Sequence, residues 1–182
     1  TTRAATDWSG SRPGSARSTA AWPRTWSTGS FAPAPGSPYR VAERPYFVLA
    51  TRVNGDRAAD LVISHDDVST VTVLLNDGRG RFPRSRRVDA GERTWKLGAA
   101  DFDGDGHGDL VMGIHPARVT VLLGDGAGNF RRAAGFPIGV GRGPWSLAVG
   151  DVNGDGNTDV VTANGEDDTV SVLLAVSSAA KP

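Results

Sequence analysis

Hydrophobic and polar residues alternate in three short segments that recur at intervals of about 50 residues, the length of a structural repeat. The segments are VTVLL at residues 71–75, VTVLL at 119–123 and VSVLL at 170–174. A period of two is typical of β-strands with one buried face. Short apolar runs and turns rich in Gly and Asp accompany each segment, so every repeat predicts about four strands. This pattern indicates an all-β protein built from β-propeller-type blades.

The repeat divides most of the chain into three four-stranded units, at about residues 29–79, 80–127 and 128–176. Each unit has one aromatic residue at the same position, and these residues are Tyr46, Trp95 and Trp145. We expect them in the core between blades, with a sugar-stacking platform as the alternative. Residues 1–28 are rich in Ser, Thr, Ala, Pro and Arg and predict disorder, and residues 177–182 form a tail.

Two acidic loops repeat in register, DFDGDGHGD at 101–109 and DVNGDGNTD at 151–159. Side-chain oxygens occupy positions 1, 3, 5 and 9 of each loop, and glycine occupies positions 4 and 6. Hard oxygen donors in a flexible loop suit Ca²⁺, whereas zinc favours His and Cys, and the chain has no cysteine. Solvated acidic turns are the alternative. The predicted ligands are Asp101, Asp103, Asp105, Asp109 and the backbone oxygen of His107, and Asp151, Asn153, Asp155, Asp159 and the backbone oxygen of Asn157.

A third copy of the loop, RVNGDRAAD at 52–60, is degenerate. Arg52 replaces the first ligand and Arg57 replaces the second glycine, so we expect two calcium sites in the chain and none in this loop. One hypothesis is that the Arg52 guanidinium bridges Asp56 and Asp60 in place of an ion. The alternative is an eroded loop in which Arg52 points to solvent.

These residues resemble the FG-GAP family, including its bacterial variants known as VCBS-like repeats. The resemblance rests on the aromatic strand, the DxDxDGxxD loop, the VxVLL strand and the GxGxF turn, and it covers residues 29–176. It implies a β-propeller, as in integrin α-subunit heads and a mushroom lectin, with calcium in a structural role away from the ligand. Closed propellers have about four to eight blades, so three repeats indicate a partial propeller. We favour a fragment, with a homo-oligomer that completes the propeller or an open stack as alternatives.

The charge of the chain is balanced, with 20 basic and 20 acidic residues, which argues against a nucleic-acid partner. No segment is apolar over the length of a membrane span. Catalytic motifs are absent, and His65 and His115 fall where polar turns are expected. We therefore expect a non-enzymatic, calcium-binding module, secreted or on the cell surface, with an adhesive or lectin-like role toward a protein or glycan. The alternatives are the accessory repeats of a secreted hydrolase and a structural spacer.

Overall fold

The structure of the protein is a computed structural model that describes residues 31–176. The chain divides into two units, Thr1–Ala32 and Pro33–Pro182, and every described strand lies in the second unit. The segment predicted to be disordered, residues 1–28, and the predicted tail, residues 177–182, lie outside the described residues. None of the described residues belongs to a helix with the length and apolar character needed to traverse a bilayer.

Residues 31–176 form twelve strands in three antiparallel sheets, which confirms the predicted all-β class with blade-like sheets. The first sheet contains β1 (Pro45–Thr51), β2 (Asp60–His65), β3 (Thr70–Leu75) and β4 (Arg84–Asp89). The second contains β5 (Thr94–Ala100), β6 (Asp109–Ile114), β7 (Arg118–Gly124), β8 (Phe130–Arg132) and β9 (Ile138–Gly139). The third contains β10 (Pro144–Gly150), β11 (Asp159–Asn164) and β12 (Thr169–Leu173).

Each sheet is a meander in which neighbouring strands follow one another along the chain. The first sheet has four strands in the order β1-β2-β3-β4, and the second has the order β5-β6-β7-β8 with β9 also paired to β7. The third sheet has three strands in the described part of the chain, β10-β11-β12. The predicted four-stranded unit is therefore present in full in the first two sheets.

The sheets are out of phase with the predicted repeat units. The predicted boundary at residues 79 and 80 falls between β3 and β4 of one sheet, and the boundary at 127 and 128 falls between β7 and β8. The reason is that the glycine-rich turn is a hairpin within a sheet. The Asp77 N–H donates to the Arg81 carbonyl at 2.9 Å, and the Asp125 N–H donates to the Asn129 carbonyl at 3.1 Å.

The core lies between successive sheets. One buried cluster joins the first two sheets and includes Val73, Leu97 and Leu110. A second cluster joins the second and third sheets around Val121, with Leu147 packed against it. Gly98 allows this second approach, because a Cβ atom there would lie 2.7 Å from Cδ1 of Leu147. In the second sheet, apolar residues on one face pack against the first sheet, and those on the other face pack against the third sheet.

The three repeated aromatic residues lie at the same register irregularity, where the first strand of each sheet pairs with the second. Trp95 is half-buried, and its carbonyl accepts the hydroxyl of Ser64 in the first sheet at 2.8 Å. Its ring also packs on His115, with 5.1 Å between the ring centroids. Tyr46 and Trp145 are 54% and 49% exposed. The aromatic residue is therefore half-buried in the second sheet, which has a neighbouring sheet on each side, and more exposed in the first and third sheets.

Candidate metal centre

The two acidic loops connect the first and second strands of the second and third sheets. Residues 101–108 link β5 to β6, and residues 151–158 link β10 to β11. The ninth residue of each loop, Asp109 or Asp159, is the first residue of the following strand and is fully buried. Both loops therefore place exposed oxygen ligands beside one buried carboxylate.

The carboxylate at position 1 organises its own loop. In the second sheet, Oδ1 of Asp101 accepts the N–H groups of Gly104 at 2.8 Å and Asp105 at 3.2 Å, and Oδ2 accepts that of Gly106 at 2.9 Å. The third sheet repeats the pattern through Asp151, with distances of 2.7, 3.2 and 2.9 Å from Gly154, Asp155 and Gly156. The loop thus curls around the first carboxylate in both copies.

Glycine is required at positions 4 and 6 because both residues adopt a left-handed backbone conformation. The φ angles are 75° at Gly104 and 86° at Gly106, and 79° at Gly154 and 86° at Gly156. Residues with a side chain rarely adopt such angles. The paired glycines therefore permit the tight turn that brings alternate oxygen donors to one side of the loop.

The aspartate at position 9 ties the loop to a neighbouring hairpin. Oδ2 of Asp109 accepts the Phe102 N–H at 2.7 Å, and Oδ1 accepts the Gly124 N–H at 2.7 Å. Asp60 makes the equivalent bonds to Val53 and Asn76 at 3.0 and 2.9 Å, and Asp159 makes them to Val152 and Ala175 at 2.9 and 2.8 Å. This bridge occurs in all three loops, including the degenerate one.

Three predicted ligands of the second sheet converge. One carboxylate oxygen from each of Asp101, Asp103 and Asp109 lies within 4.8 Å of the others. In the third sheet, Asp151, Asn153 and Asp159 occupy the same positions, with an amide in place of one carboxylate. Asp105 is not part of this group, and its Oδ1 accepts the His107 N–H at 2.8 Å.

The electrostatics of this group favour a cation. Burial raises the pKa of Asp109, and the nearby carboxylates of Asp103 and Asp105 raise it further, while the N–H donors of Gly124 and Phe102 act in the opposite direction. The four loop aspartates of the second sheet form no ion pair within residues 31–176. A bound divalent cation would relieve this repulsion.

In the acidic loop of the third sheet, Asp155 at position 5 accepts an additional hydrogen bond from a side-chain amide. Hydrogen bonds from the Asn157 N–H and from the Asn153 side-chain amide lower the pKa of Asp155. This carboxylate is therefore ionised at neutral pH, as a metal ligand must be. All donors predicted in both loops are oxygen atoms from carboxylates, amides or backbone carbonyls, and this donor set fits Ca²⁺ rather than zinc.

The degenerate loop has a different backbone. Gly55 at position 4 keeps a left-handed φ of 72°, but Arg57 at position 6 is not left-handed. Arg52 forms no ion pair with Asp56 or Asp60 in the described chain, so the hypothesis that its guanidinium bridges them is wrong for this structure. At Asp60 the two carboxylate oxygens accept the N–H groups of Val53 and Asn76.

His65 is a buried residue that the sequence does not identify. The expected turn position is wrong, because His65 is the last residue of β2 and is fully buried. Its Nδ1 lies 3.1 Å from the Glu43 carbonyl and its Nε2 lies 2.9 Å from the Thr72 hydroxyl. Since a carbonyl can only accept, Nδ1 carries the proton and Nε2 accepts the Thr72 O–H. This histidine is thus a hydrogen-bonded part of the sheet.

The meander sheets, the stacked cores between them and the repeated loops define a β-propeller-type repeat module. The chain belongs to the FG-GAP-like repeat family, whose sequence profile matches residues 52–112 and 101–162, more than half of the chain. The match confirms the resemblance inferred from the loop and strand motifs. It includes the degenerate loop as well as both acidic loops.

Two solved structures are similar to this chain over part of its length. They are the crystal structures of TcdB2-TccC3-Cdc42 and of TcdB2-TccC3 without its hypervariable C-terminal region. Each is 24% identical to this chain, with a TM-score of 0.40, over 63% of this chain and 6% of the matched chain. The matched region is thus a small part of the length of those chains. None of the curated proteins compared with it matches its sequence.

Proposed function

We propose that this chain is a calcium-stabilised, non-enzymatic β-propeller-type module that binds one ion in each acidic loop. The observation that carries the proposal is the convergence of carboxylate oxygens from Asp101, Asp103 and Asp109 within 4.8 Å. The hydrogen-bond pattern around Asp101 recurs around Asp151, which supports a second site of the same kind. The remaining proposed donors are Asp105 and the His107 carbonyl, and Asn153, Asp155, Asp159 and the Asn157 carbonyl.

The aspartates at positions 1 and 9 have different roles in each proposed site. The position 1 aspartate shapes the loop by accepting three backbone N–H groups. The position 9 aspartate fastens the loop to the end of the third strand of its sheet. Calcium, when bound, would supply the positive charge that lets the clustered carboxylates stay ionised together. The proposed role of the metal is therefore to stiffen one end of the second and third sheets.

We further propose that the module is secreted or displayed on the cell surface and binds a protein or glycan through the opposite end of the sheets. In an antiparallel meander, the turns that join the second and third strands lie at the far end from the acidic loops. That end carries ion pairs that join neighbouring sheets, such as Arg93 to Asp66 at 3.1 Å. Loops of this type are often filled only at the high calcium concentrations found outside cells.

Thermal unfolding in calcium and in EDTA tests the metal sites. If each dissociation constant is about 0.1 mM, then about 1 mM calcium adds roughly 1.4 kcal/mol per site. The melting temperature of a domain of this size should rise by several degrees. The variant Asp103→Ala with Asn153→Ala should lose this rise. Asn54→Ala changes the same loop position in the first sheet and should keep it.

Identical melts of the wild-type protein in calcium and in EDTA would overturn the proposed metal sites. A glycan array, run separately with calcium, tests the proposed ligand class. Specific binding would support the lectin-like role, and variants at the Arg93 end of the sheets should weaken it while variants in the acidic loops should act only through stability. A module that binds no glycan and no protein would be a structural spacer.

A further inference from the structure

Three asparagines of the described chain are followed by glycine, and they are Asn54, Asn153 and Asn164. Such a pair is chemically reactive, because the glycine nitrogen can attack the side-chain amide carbon and glycine has no Cβ atom to hinder the approach. The attacking nitrogen must first give up any hydrogen bond that its N–H group donates. The three pairs differ in whether that N–H group has an acceptor.

The pair in the acidic loop of the third sheet has a protected nitrogen. The Gly154 N–H donates to Oδ1 of Asp151 at 2.7 Å. The side chain of Asn153 is held by Asp155, since its Oδ1 accepts the Asp155 N–H at 3.0 Å and its Nδ2 donates to Oδ2 of Asp155 at 2.9 Å. Hydrogen bonds to a carboxylate are stronger than those to a neutral acceptor. The carboxylate at position 1 therefore opposes attack by the glycine nitrogen.

Asn54 has the same side-chain environment in the degenerate loop. Its Oδ1 accepts the Asp56 N–H at 3.3 Å, and its Nδ2 donates to Oδ2 of Asp56 at 2.8 Å. Gly55 is exposed and has a φ of 72°, close to the 79° of Gly154. The difference lies at position 1, where the side chain of Arg52 has only donors. Within the described residues, the Gly55 N–H has no hydrogen-bond acceptor.

The third pair is buried and fully hydrogen-bonded. Asn164 is 1% exposed. Its Oδ1 accepts the Thr162 hydroxyl and its Nδ2 donates to the Ser171 hydroxyl, both at 2.8 Å. The Gly165 N–H donates to the Gly143 carbonyl at 2.8 Å. Both the amide group and the nitrogen of this pair are therefore engaged.

We propose that Asn54 is a site of spontaneous deamidation in the folded protein, whereas Asn153 and Asn164 are protected. The Gly55 nitrogen attacks Cγ of Asn54, and its proton passes through solvent to Nδ2. The Cγ–Nδ2 bond then breaks, ammonia leaves and a succinimide ring remains. Water opens the ring at either carbonyl and gives aspartate or isoaspartate, so the overall reaction is a hydrolysis. Both products add a negative charge to the loop.

Peptide mapping by mass spectrometry, after incubation in EDTA at mildly alkaline pH, measures the conversion of each asparagine. Because the Gly154 N–H must first leave a carboxylate, we expect Asn54 to convert about tenfold faster than Asn153, or more. In guanidinium chloride, which unfolds the chain, the three pairs should convert at similar rates, because each is an Asn-Gly pair without a fixed acceptor. The use of EDTA makes the result independent of calcium in the loops.

Asp151→Ala is the variant that should remove the protection. It deletes the acceptor of the Gly154 N–H, so the rate at Asn153 should rise toward the rate at Asn54. Circular dichroism shows whether this variant folds. Amide hydrogen exchange of the wild-type protein makes the same comparison without a substitution, and the Gly55 N–H should exchange faster than the Gly154 N–H.

The double variant Arg52→Asp with Arg57→Gly is the converse test. It restores an acceptor at position 1 and glycine at position 6 of the degenerate loop, so conversion of Asn54 should slow. Equal rates at Asn54 and Asn153 in the folded wild-type protein would overturn the inference. The absence of conversion at Asn54 under conditions that convert the unfolded chain would overturn it as well.

Discussion

The buried carboxylate of Asp109 accepts the backbone N–H of Gly124 at 2.7 Å and so joins the start of β6 to the end of β7. Asp60 and Asp159 make the same connection in the other sheets, to Asn76 and Ala175. Because Asp60 belongs to the loop that lacks the first ligand, this bridge does not depend on a metal. The ninth residue of the motif is therefore a structural residue in every repeat.

Asp60→Ala should destabilise the protein in EDTA, because it leaves the N–H groups of Val53 and Asn76 without a partner. We expect a loss of about 1–3 kcal/mol for each buried donor left unpaired. Chemical denaturation measures the free energy of unfolding. Asp56→Ala, in the same loop but exposed, is the control and should cost no more than about 0.5 kcal/mol. Equal losses in the two variants would contradict the structural role of Asp60.

Stability should fall on mild acidification because of His65. Burial lowers the pKa of His65 from its ordinary value of 6.5, the hydrogen bond to Glu43 partly offsets this, and Arg87 lowers it again. The unfolded chain therefore binds the proton more tightly than the native chain. The stability that neutral His65 provides is fully present above pH 6.5, the pKa of the unfolded chain. It is lost as the pH falls through the lowered pKa of the folded protein.

Denaturation in EDTA between about pH 7.5 and about pH 5.5 checks this expectation. The wild-type protein should lose stability across this range, and His65→Gln should lose less. His115→Gln removes an exposed histidine and should retain the wild-type dependence. If His65→Gln follows the wild-type curve, then His65 does not cause the effect.

Gly108→Ala should destabilise the contact between the acidic loop of the second sheet and the degenerate loop of the first sheet. A Cβ atom at Gly108 would lie 2.2 Å from the Arg52 carbonyl, so the two loops must separate. We expect a cost of about 1–3 kcal/mol in the free energy of unfolding. Gly139→Ala is the matched control, since a Cβ atom there meets nothing within 4 Å. A neutral Gly108→Ala variant would show that the loops are free to move apart.

The sequence pattern predicts the sheets and loops because both depend on local periodicity. Alternating residues such as those at 71–75 identify strands, and the spacing of Asp101 and Asp103 identifies an oxygen-rich loop. The local pattern does not reveal which consecutive strands belong to the same sheet. The turn at residues 76–82 closes a hairpin within one sheet, and the same residues could equally have linked two blades.

Other features depend on partners that are distant in the chain. His65 resembles a polar turn residue until Glu43 and Thr72 are seen to pair with its ring. The Asp60 carboxylate accepts the N–H groups of Val53 and Asn76, and Arg52 forms no ion pair with it in the described residues. The spacing within a motif reveals which residues can act as ligands. It does not reveal which backbone N–H groups form hydrogen bonds with those residues.

Arg52→Asp alone should not create a third calcium site. Position 6 of this loop is Arg57, which lacks the left-handed conformation that Gly106 and Gly156 adopt in the other loops. The N–H groups would then remain poorly placed around a new carboxylate. The double variant Arg52→Asp with Arg57→Gly should bind one more calcium equivalent than the wild type in calorimetric titration. A third equivalent in the single variant would contradict this dependence on the glycine.

The most direct test of the calcium sites is the number of ions that the wild-type chain binds, measured by isothermal titration calorimetry after removal of metal with EDTA. We expect two equivalents, one for the loop of Asp101 and one for the loop of Asp151, with Asp103→Ala removing one of them. Titration that shows no calcium binding would contradict the central claim. Three equivalents would show that the loop of Arg52 also binds the ion.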